Sequence, residues 1–232
     1  MIKFLQDDKT VDFEKLALIE LNFYPALNQG TYPITLKKKL KQQPEFFCEL
    51  INILYKPLDE KIAKTEPQLS HNVIQRAWTV LNEIKPLAGY DDDTGLFNSK
   101  IFLKWFKKVM KIAKDKTRED VTLNEIGQIL FYTPQDKDGF WINKDIAEIL
   151  NTEEYEHMRQ GYHSEIINSR GCHIVDKTAK PELDLANKYH KQANDCRNAG
   201  YSRLAAILDD AELFYKQEAA RILDKPKNDD KN

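Results

Sequence analysis

Apolar residues recur every three or four positions along most of this chain, which is the period of an α-helix rather than of a β-strand. The longest apolar stripe consists of Ile101, Phe102, Trp105, Phe106, Val109, Ile112 and Ala113. No segment alternates convincingly between apolar and polar residues, and only 8 of the 232 residues are glycine, which tight β-hairpins need. We therefore predict an all-α fold, a multi-helix array of helical hairpins that is repeat-like or irregular, with about eight to ten helices.

Several helix boundaries can be predicted from single residues. Ser70 and Ser99 precede apolar stripes and are candidate N-caps, because a serine hydroxyl can accept from the first free backbone amides of a helix. Two long helices are predicted near the C-terminus, at 181–199 and 202–223. Gly200 lies between them, at the position where a helix end commonly takes glycine.

A polar segment with two prolines, KPLDEKIAKTEPQ, interrupts the helical pattern. Because proline ends helices and removes a backbone donor, this segment predicts a connection between helical units. The predicted organisation is an N-terminal helical subdomain at 1–56, a linker at 57–70, a main helical domain at 71–223 and a disordered tail at 224–232. The tail is predicted from its polar composition, DKPKNDDKN.

Charge and cysteine content limit the classes of partner and compartment. Lys and Arg number 35 against 37 Asp and Glu, so no global field attracts nucleic acid or an anionic membrane. No apolar run is long enough for a membrane span, and acids occupy the place of a signal-peptide core. The three cysteines, Cys48, Cys172 and Cys196, are an odd number, which favours reduced thiols. We predict a cytoplasmic protein without membrane contact.

Two aspartate-rich stretches, DDDTGLFN at 91–98 and DKDGFWIN at 136–143, resemble calcium loops. An EF-hand loop needs oxygen ligands at positions 1, 3, 5 and 12 around a glycine at position 6. In the second stretch Asp136, Asp138 and Asp145 fit positions 3, 5 and 12, but Pro134 at position 1 has no side-chain oxygen. The first stretch fails at both ends. We predict tight turns with glycine at positive φ, and calcium binding by Asp136, Asp138 and Asp145 is the alternative.

Histidine and cysteine spacing gives little support for a metal or catalytic site. His157 and His163 are six residues apart, about 120° from each other around a helix, whereas paired helical ligands normally lie four apart. Cys172 and His173 are adjacent, but a nucleophile and its base must meet through space with a third orienting group. No glycine-rich phosphate loop and no GxSxG motif occur. The sequence therefore predicts no catalytic residue and no cofactor.

Lysines concentrate in two places. Lys104, Lys107, Lys108 and Lys111 lie on one predicted helix, opposite its apolar stripe, and a second basic knot spans 37–41. Several positioned cations can bind phosphates by releasing counterions, which makes a nucleic-acid surface the alternative to a solvated face. The chain has 28 lysines and only 7 arginines, and arginine is the residue richer in specific base recognition.

A set of short motifs resembles the C-terminal region of a family of very large, mostly uncharacterised bacterial proteins. The motifs, in order, are IELNFYPAL, PEFFCELINILYKP, RAWTVLNEI, IGQIL, DKDGFWIN, NSRG, AAIL and QEAAR. They span most of residues 16–222. The resemblance implies a piece or a detached short version of a longer protein, and a conflict or antiviral-defence context. Within NSRG, it marks Asn168, Ser169 and Arg170 as a structural or ligand-binding motif.

The function predicted from these observations is a non-enzymatic helical interaction or sensing module with a protein partner, because stacked helical hairpins build surfaces suited to partners. Two alternatives remain open. One is a nucleic-acid-associated protein that uses the lysine-rich helix. The other is a fragment of a metal-dependent enzyme.

Overall fold

A computed structural model describes residues 2–8, 10–27 and 32–224. Its α-helices are α1 (Ile2–Asp7), α2 (Phe13–Asn22), α3 (Tyr24–Leu27), α4 (Ile34–Gln42), α5 (Pro44–Leu54), α6 (Glu60–Ala63), α7 (His71–Ile84), α8 (Ser99–Asp115), α9 (Glu119–Leu130), α10 (Lys144–Asn151), α11 (Glu156–Asn168), α12 (Lys180–Asn198) and α13 (Ser202–Leu223). A short 3-10 helix, Glu153–Tyr155, precedes α11. The described ranges contain no strand, only an isolated bridge between Tyr90 and Phe97. The predicted all-α fold class is confirmed.

Among the described residues, no helix combines the length and the apolar character needed to cross a membrane.

The chain divides into two compact units, Met1–Glu125 and Ile126–Asn232, and the division falls inside α9. The sequence instead predicted a linker at 57–70. That segment contains α6 and is tied to the residues before α9, since the Leu58 amide donates to the Thr117 carbonyl at 3.0 Å. Moreover α5, in the predicted N-terminal subdomain, packs against α7 and α8. The predicted tail lies outside the described residues from 225 onward.

The core of the Met1–Glu125 unit forms where α5 packs against α4, α7 and α8. Pro44 occupies the first position of α5, where its missing amide costs no helical hydrogen bond. Phe47 is fully buried and meets the ring of Trp105 edge-on, with 5.0 Å between ring centroids. Phe102 and Phe106 stack at 5.9 Å on the same side of α8. Each such buried ring contributes about 1.5–3 kcal/mol relative to exposure, which fixes α8 in place.

The start of α4 depends on a buried carboxylate from α2. Pro33 precedes α4 and makes no side-chain cap. Glu20 is fully buried, and its Oε2 accepts from the Leu36 amide at 2.6 Å while its Oε1 accepts from Gln6 Nε2 at 2.7 Å. Because both oxygens are hydrogen-bonded, this acid acts as a cap supplied from a neighbouring helix.

Two predicted details of α7 and α8 differ from the structure. Ser70 stands at the N-cap of α7 without a side-chain hydrogen bond, and α8 is capped by Asn98, one residue before the predicted Ser99. The apolar residues that recur along α7 include Trp78, which is 57 % exposed. Trp78 lies about 100° around the helix from the buried Ala77, so it stands at the edge of the face that packs on the core.

In the Ile126–Asn232 unit, α12 and α13 form a long antiparallel hairpin against which α10 and α11 pack. Gly200 has a φ of 86°, and the Tyr201 amide donates to the Cys196 carbonyl at 2.8 Å. This is the hydrogen bond of a helix ended by a left-handed glycine, as predicted. Tyr189 and Tyr215 stack across the hairpin with 5.7 Å between ring centroids.

Candidate functional site

The lysines of α8 lie on one exposed surface. This lysine face consists of Lys100, Lys104, Lys107, Lys108, Lys111 and Lys114, all exposed. At 3.6 residues per turn they fall within about 120° of the helix circumference and along about 21 Å of its axis. The only acid of the helix is Asp115, at its last position. The sequence-predicted residues Lys104, Lys107, Lys108 and Lys111 are therefore brought together.

The lysine face differs from the second basic knot in its ion pairs. Lys37 and Lys41 both bind Asp92, at 2.8 and 2.7 Å, and Lys39 is paired with Glu14. Within the described part of the chain, no carboxylate lies within ion-pair distance of the six lysines of the lysine face. Three of the four lysines of the basic knot are thus paired with a carboxylate, and the fourth, Lys38, is exposed. On α8, by contrast, all six lysines face solvent.

Asp92 belongs to the first aspartate-rich stretch, so one acidic turn serves as the counter-charge of α4. The ammonium of Lys41 also donates to the Tyr90 carbonyl at 2.7 Å, and burial lowers the pKa of Lys41 more than its bond to Asp92 raises it. Burial alone would raise the pKa of Asp92, but the hydrogen bonds from Lys37 and Lys41 outweigh burial and hold that pKa below 3.8. The ion pairs of Asp92 with Lys37 and Lys41 therefore hold this turn against α4.

We expect Asp92→Asn to lower the free energy of unfolding by about 0.5–1 kcal/mol near pH 7, since the pair is partly exposed. The pKa of Asp92 is depressed in the folded state, so its contribution is present above the ordinary pKa and is lost as the pH falls through the folded value. The difference from the native protein should therefore be smaller at an acidic pH, below the ordinary pKa of an aspartate, than near pH 7. Urea unfolding at both pH values measures it, with Asp93→Asn as the matched control that has no lysine partner. An equal effect of both variants would contradict the assignment.

The first acidic turn is closed by hydrogen bonds of its own. The Asp91 carboxylate accepts from the amides of Asp93 and Thr94, each at 2.9 Å, and these bonds hold its pKa below the ordinary value. Gly95 has a φ of 69°, which confirms the predicted positive φ. The acids of this turn do not cap the following helix, because Asn98 accepts from the Lys100 and Ile101 amides instead.

The second acidic turn does start a helix. Asp136 Oδ2 accepts from the Lys144 amide at 2.9 Å, at the first residue of α10. The Lys144 ammonium pairs with Asp138 and lowers the pKa of that carboxyl. Gly139 has a φ of 87°, again as predicted, and Asp145 follows in the first turn of α10. Asp136 and Asp138 thus both contact Lys144, the first residue of α10.

The structure brings no metal-binding cluster together in the ranges that it describes. No group of three or more His, Cys, Asp or Glu side chains there is arranged to hold a metal ion. Calcium binding by Asp136, Asp138 and Asp145 stays a prediction, and it would require the Lys144 ammonium to leave Asp138. The sequence had no signal for this ion pair, because a lysine after a loop is a common surface residue.

The cysteines divide into two buried thiols and one exposed thiol. Burial raises the pKa of both Cys48 and Cys196 to about 12, so both stay protonated near neutral pH. Cys172 is exposed. The ring of its neighbour, His173, lies 3.1 Å from the Gly171 carbonyl oxygen through Nδ1. Because a carbonyl only accepts, Nδ1 carries the proton.

The NSRG motif opens onto a cavity of about 280 Å³ in the Ile126–Asn232 unit. The cavity lies between the residues that follow α11, the first turn of α12 and the last turns of α13. Asn168 and Ser169 are exposed and end α11, where the Gly171 amide donates to the Asn168 carbonyl at 3.0 Å. Of the three residues marked from the sequence, Arg170 alone lines the cavity.

Arg170 meets a buried acid that the sequence analysis missed. Glu182, in the first turn of α12, is 1 % exposed, and its Oε1 accepts from Arg170 Nη2 at 2.6 Å. His173 Nε2 lies 3.8 Å from the same oxygen. The other oxygen, Oε2, is buried and has no hydrogen-bond partner among the described residues. An acid just after a helix start is ordinarily explained by the helix dipole, so the sequence alone gave no reason to single it out.

Comparisons of the chain with protein-family models, with curated proteins and with solved structures found no match. The resemblance to very large bacterial proteins therefore stays a hypothesis. Two features of the described residues remain as candidates for function: the lysine face of α8 and the cavity beside Arg170 and Glu182.

Proposed function

We propose that this chain is a non-enzymatic binding module whose lysine face contacts the phosphate backbone of a nucleic acid. The observation that supports this proposal is the contrast between the two basic regions. Three of the four lysines of α4 are paired with Asp92 or Glu14, whereas the six of the lysine face have no carboxylate partner in the described ranges. Six like charges on one helix face repel one another, and a polyanion removes that repulsion.

The dimensions of the lysine face suit a phosphate backbone. One strand of DNA offers a phosphate about every 3.4 Å along the axis, so about six phosphates match the length of the face. Each lysine that neutralises a phosphate releases condensed counterions, which gives affinity that falls with salt. The binding energy in this proposal is therefore mostly electrostatic.

The opposite side of α8 supports the same proposal, because it holds the lysines on a rigid element. Phe102, Trp105 and Phe106 are buried and pack into the core of the Met1–Glu125 unit. A helix fixed in this way loses little conformational freedom when it binds. The face contains no arginine, and lysine acts as a point charge rather than as a bidentate reader of bases. We therefore expect backbone contacts with little sequence preference.

The test compares two variants with equal charge changes. In the first, Lys104, Lys107, Lys108 and Lys111 are replaced by glutamine, and in the second, the exposed Lys56, Lys61, Lys64 and Lys191 are replaced in the same way. Fluorescence anisotropy with labelled DNA and RNA measures affinity between about 50 and about 200 mM salt. The first variant should reduce the slope of log K against log salt by about 3–4, since each lost contact removes about 0.7–0.9.

Two results would contradict the proposal. One is equal loss of affinity in both variants, which would show that only the overall charge matters. The other is no retention of nucleic acid by the native chain at about 50 mM salt. Circular dichroism of each variant checks that the helices are intact.

A protein partner, the first expectation from the sequence, is the second candidate, and the bacterial defence context also remains a proposal. On α7, Trp78 and Ile74 are 57 and 38 % exposed, beside a cavity lined by Leu54 and Tyr55. Exposed tryptophan is enriched where proteins meet. A photo-crosslinking residue at position 78 tests this, and the absence of any protein crosslink in cells would count against it.

A further inference from the structure

We propose that the cavity beside Arg170 and Glu182 binds a small, neutral, amino-substituted nitrogen heterocycle, such as a free adenine or cytosine base. The site lies in the Ile126–Asn232 unit and the lysine face in the Met1–Glu125 unit. The two proposals use different residues, so each can fail without the other.

Glu182, a residue that lines the cavity, has one carboxylate oxygen without a hydrogen-bond partner among the described residues. Glu182 is 1 % exposed, and its Oε2 is buried without a hydrogen-bond partner in the described part of the chain. A buried carboxylate oxygen is among the polar atoms that proteins most consistently satisfy, because it has given up its bonds to water. Since Glu182 lines the cavity, a ligand that enters with an N–H donor can satisfy this oxygen.

The charge of the site selects a neutral donor. The Arg170 guanidinium already bonds Glu182 Oε1 at 2.6 Å and neutralises the carboxylate. At the mouth of the cavity, Arg221 and Glu218 pair with each other. An ammonium or guanidinium ligand would leave an excess positive charge next to Arg170, and a protonated His173 would add to it. An amino group on an aromatic ring donates N–H without that charge.

The shape and polarity of the remaining walls suit a small aromatic ring. The side chains of Ile167, Val175, Phe214 and Ile222 line the cavity with apolar surface. The Tyr215 hydroxyl is occupied, because it donates to the Ile166 carbonyl at 3.0 Å, so Tyr215 presents its ring. A volume of about 280 Å³ is at the lower limit of ordinary ligand pockets, about 300 Å³. Apolar walls with one buried acceptor fit a small flat ring with an amino group.

The experiment uses the full chain and ligand-observed NMR, with dissociation constants from isothermal titration calorimetry. Adenine and cytosine are the probes, and the matched comparison is between 9-methyladenine and 9-methylpurine, which keeps the ring but has no N–H donor. We expect 9-methyladenine to bind at least about tenfold more tightly than 9-methylpurine, since a site built around a hydrogen bond discriminates against a ligand that lacks the donor.

Two variants locate the site. Glu182→Gln replaces the free acceptor and should weaken adenine or cytosine binding by at least about tenfold. Val175→Trp fills the cavity from a half-exposed loop position without altering the ion pair, and should abolish binding. Ile174→Trp is the matched control, because Ile174 is 97 % exposed and does not line the cavity. Its binding should equal that of the native chain. The Val175 variant keeps the test decisive if Glu182→Gln fails to fold.

Three results would overturn the proposal. The first is no binding of either base by the native chain. The second is tighter binding of methylguanidine than of adenine and cytosine, which would show that the site selects a cation. The third is binding that survives Val175→Trp, which would place the ligand elsewhere on the protein.

Discussion

Replacing Arg118 with alanine should lower the free energy of unfolding by about 3 kcal/mol, a large fraction of the stability of an ordinary domain. Arg118 is 1 % exposed. Its Nε donates to the Tyr55 carbonyl at 2.7 Å, its Nη1 to the Lys116 carbonyl at 3.2 Å, and its Nη2 to Glu66 Oε1 at 2.5 Å. Alanine removes all of these bonds and leaves a cavity. Glu66 is partly exposed, so water can compensate part of the loss.

The measurement is urea unfolding followed by far-ultraviolet circular dichroism, with Arg76→Ala as the control. Arg76 bonds the exposed Asn22 side chain at 2.8 Å, so its removal should cost less than about 1 kcal/mol. Arg118→Lys should recover only part of the stability, because an ammonium cannot reproduce the planar arrangement of N–H donors of a guanidinium. A loss below about 1 kcal/mol for Arg118→Ala would show that the hydrogen bonds of the Arg118 guanidinium contribute little to stability.

Gly127→Ala should destabilise the protein by at least about 2 kcal/mol, although alanine is the better helix former. Gly127 lies in α9, and a Cβ there would come within 1.9 Å of the Met158 carbonyl oxygen and 2.8 Å of the Tyr162 amide nitrogen. Both atoms belong to the backbone of α11, which cannot move aside as a flexible side chain would. The two helices would have to separate, and their packing contacts would be lost.

The sign of the stability change caused by Gly127→Ala shows whether α9 and α11 approach each other closely. If the helices were further apart, alanine would stabilise α9 by up to about 1 kcal/mol. Gly200→Ala is the comparison, since a Cβ at Gly200 meets nothing within 4 Å and only its φ of 86° is unfavourable, at about 1–2 kcal/mol. Thermal unfolding of both variants measures the difference. A stabilised Gly127→Ala variant would contradict the close approach of α9 and α11.

The fold class could be predicted because the helical period is a local property. The stripe from Ile101 to Ala113 became α8, and the predicted limits of the last helix, Ser202 and Leu223, are those of α13. The lysine face was predictable for the same reason, since residues three and four apart share one side of a helix. Trp78 shows the limit of this reasoning, because a periodic stripe does not reveal how wide the packed face is.

Contacts between distant residues could not be predicted in the same way. The acidic turn at Asp92 was compared with calcium loops, yet its partners are Lys37 and Lys41, 55 and 51 positions away in the chain. The linker predicted at 57–70 is hydrogen-bonded to Thr117 through Leu58 and to Arg118 through Glu66. A polar, proline-containing segment looks the same in sequence whether or not a buried arginine holds it.

The sequence by itself determined that this protein is helical, where α12 and α13 begin and end to within one residue, and which side of α8 carries the lysines. These properties follow from backbone hydrogen bonds and apolar period within single segments. Only the tertiary structure decided which charges are neutralised and which are free. It paired Asp92 with α4, left the lysine face without a carboxylate partner in the described ranges, and buried Glu182 beside Arg170 with one oxygen unsatisfied. Electrostatic and desolvation energies depend on distances through space and on burial, which only the packed chain defines.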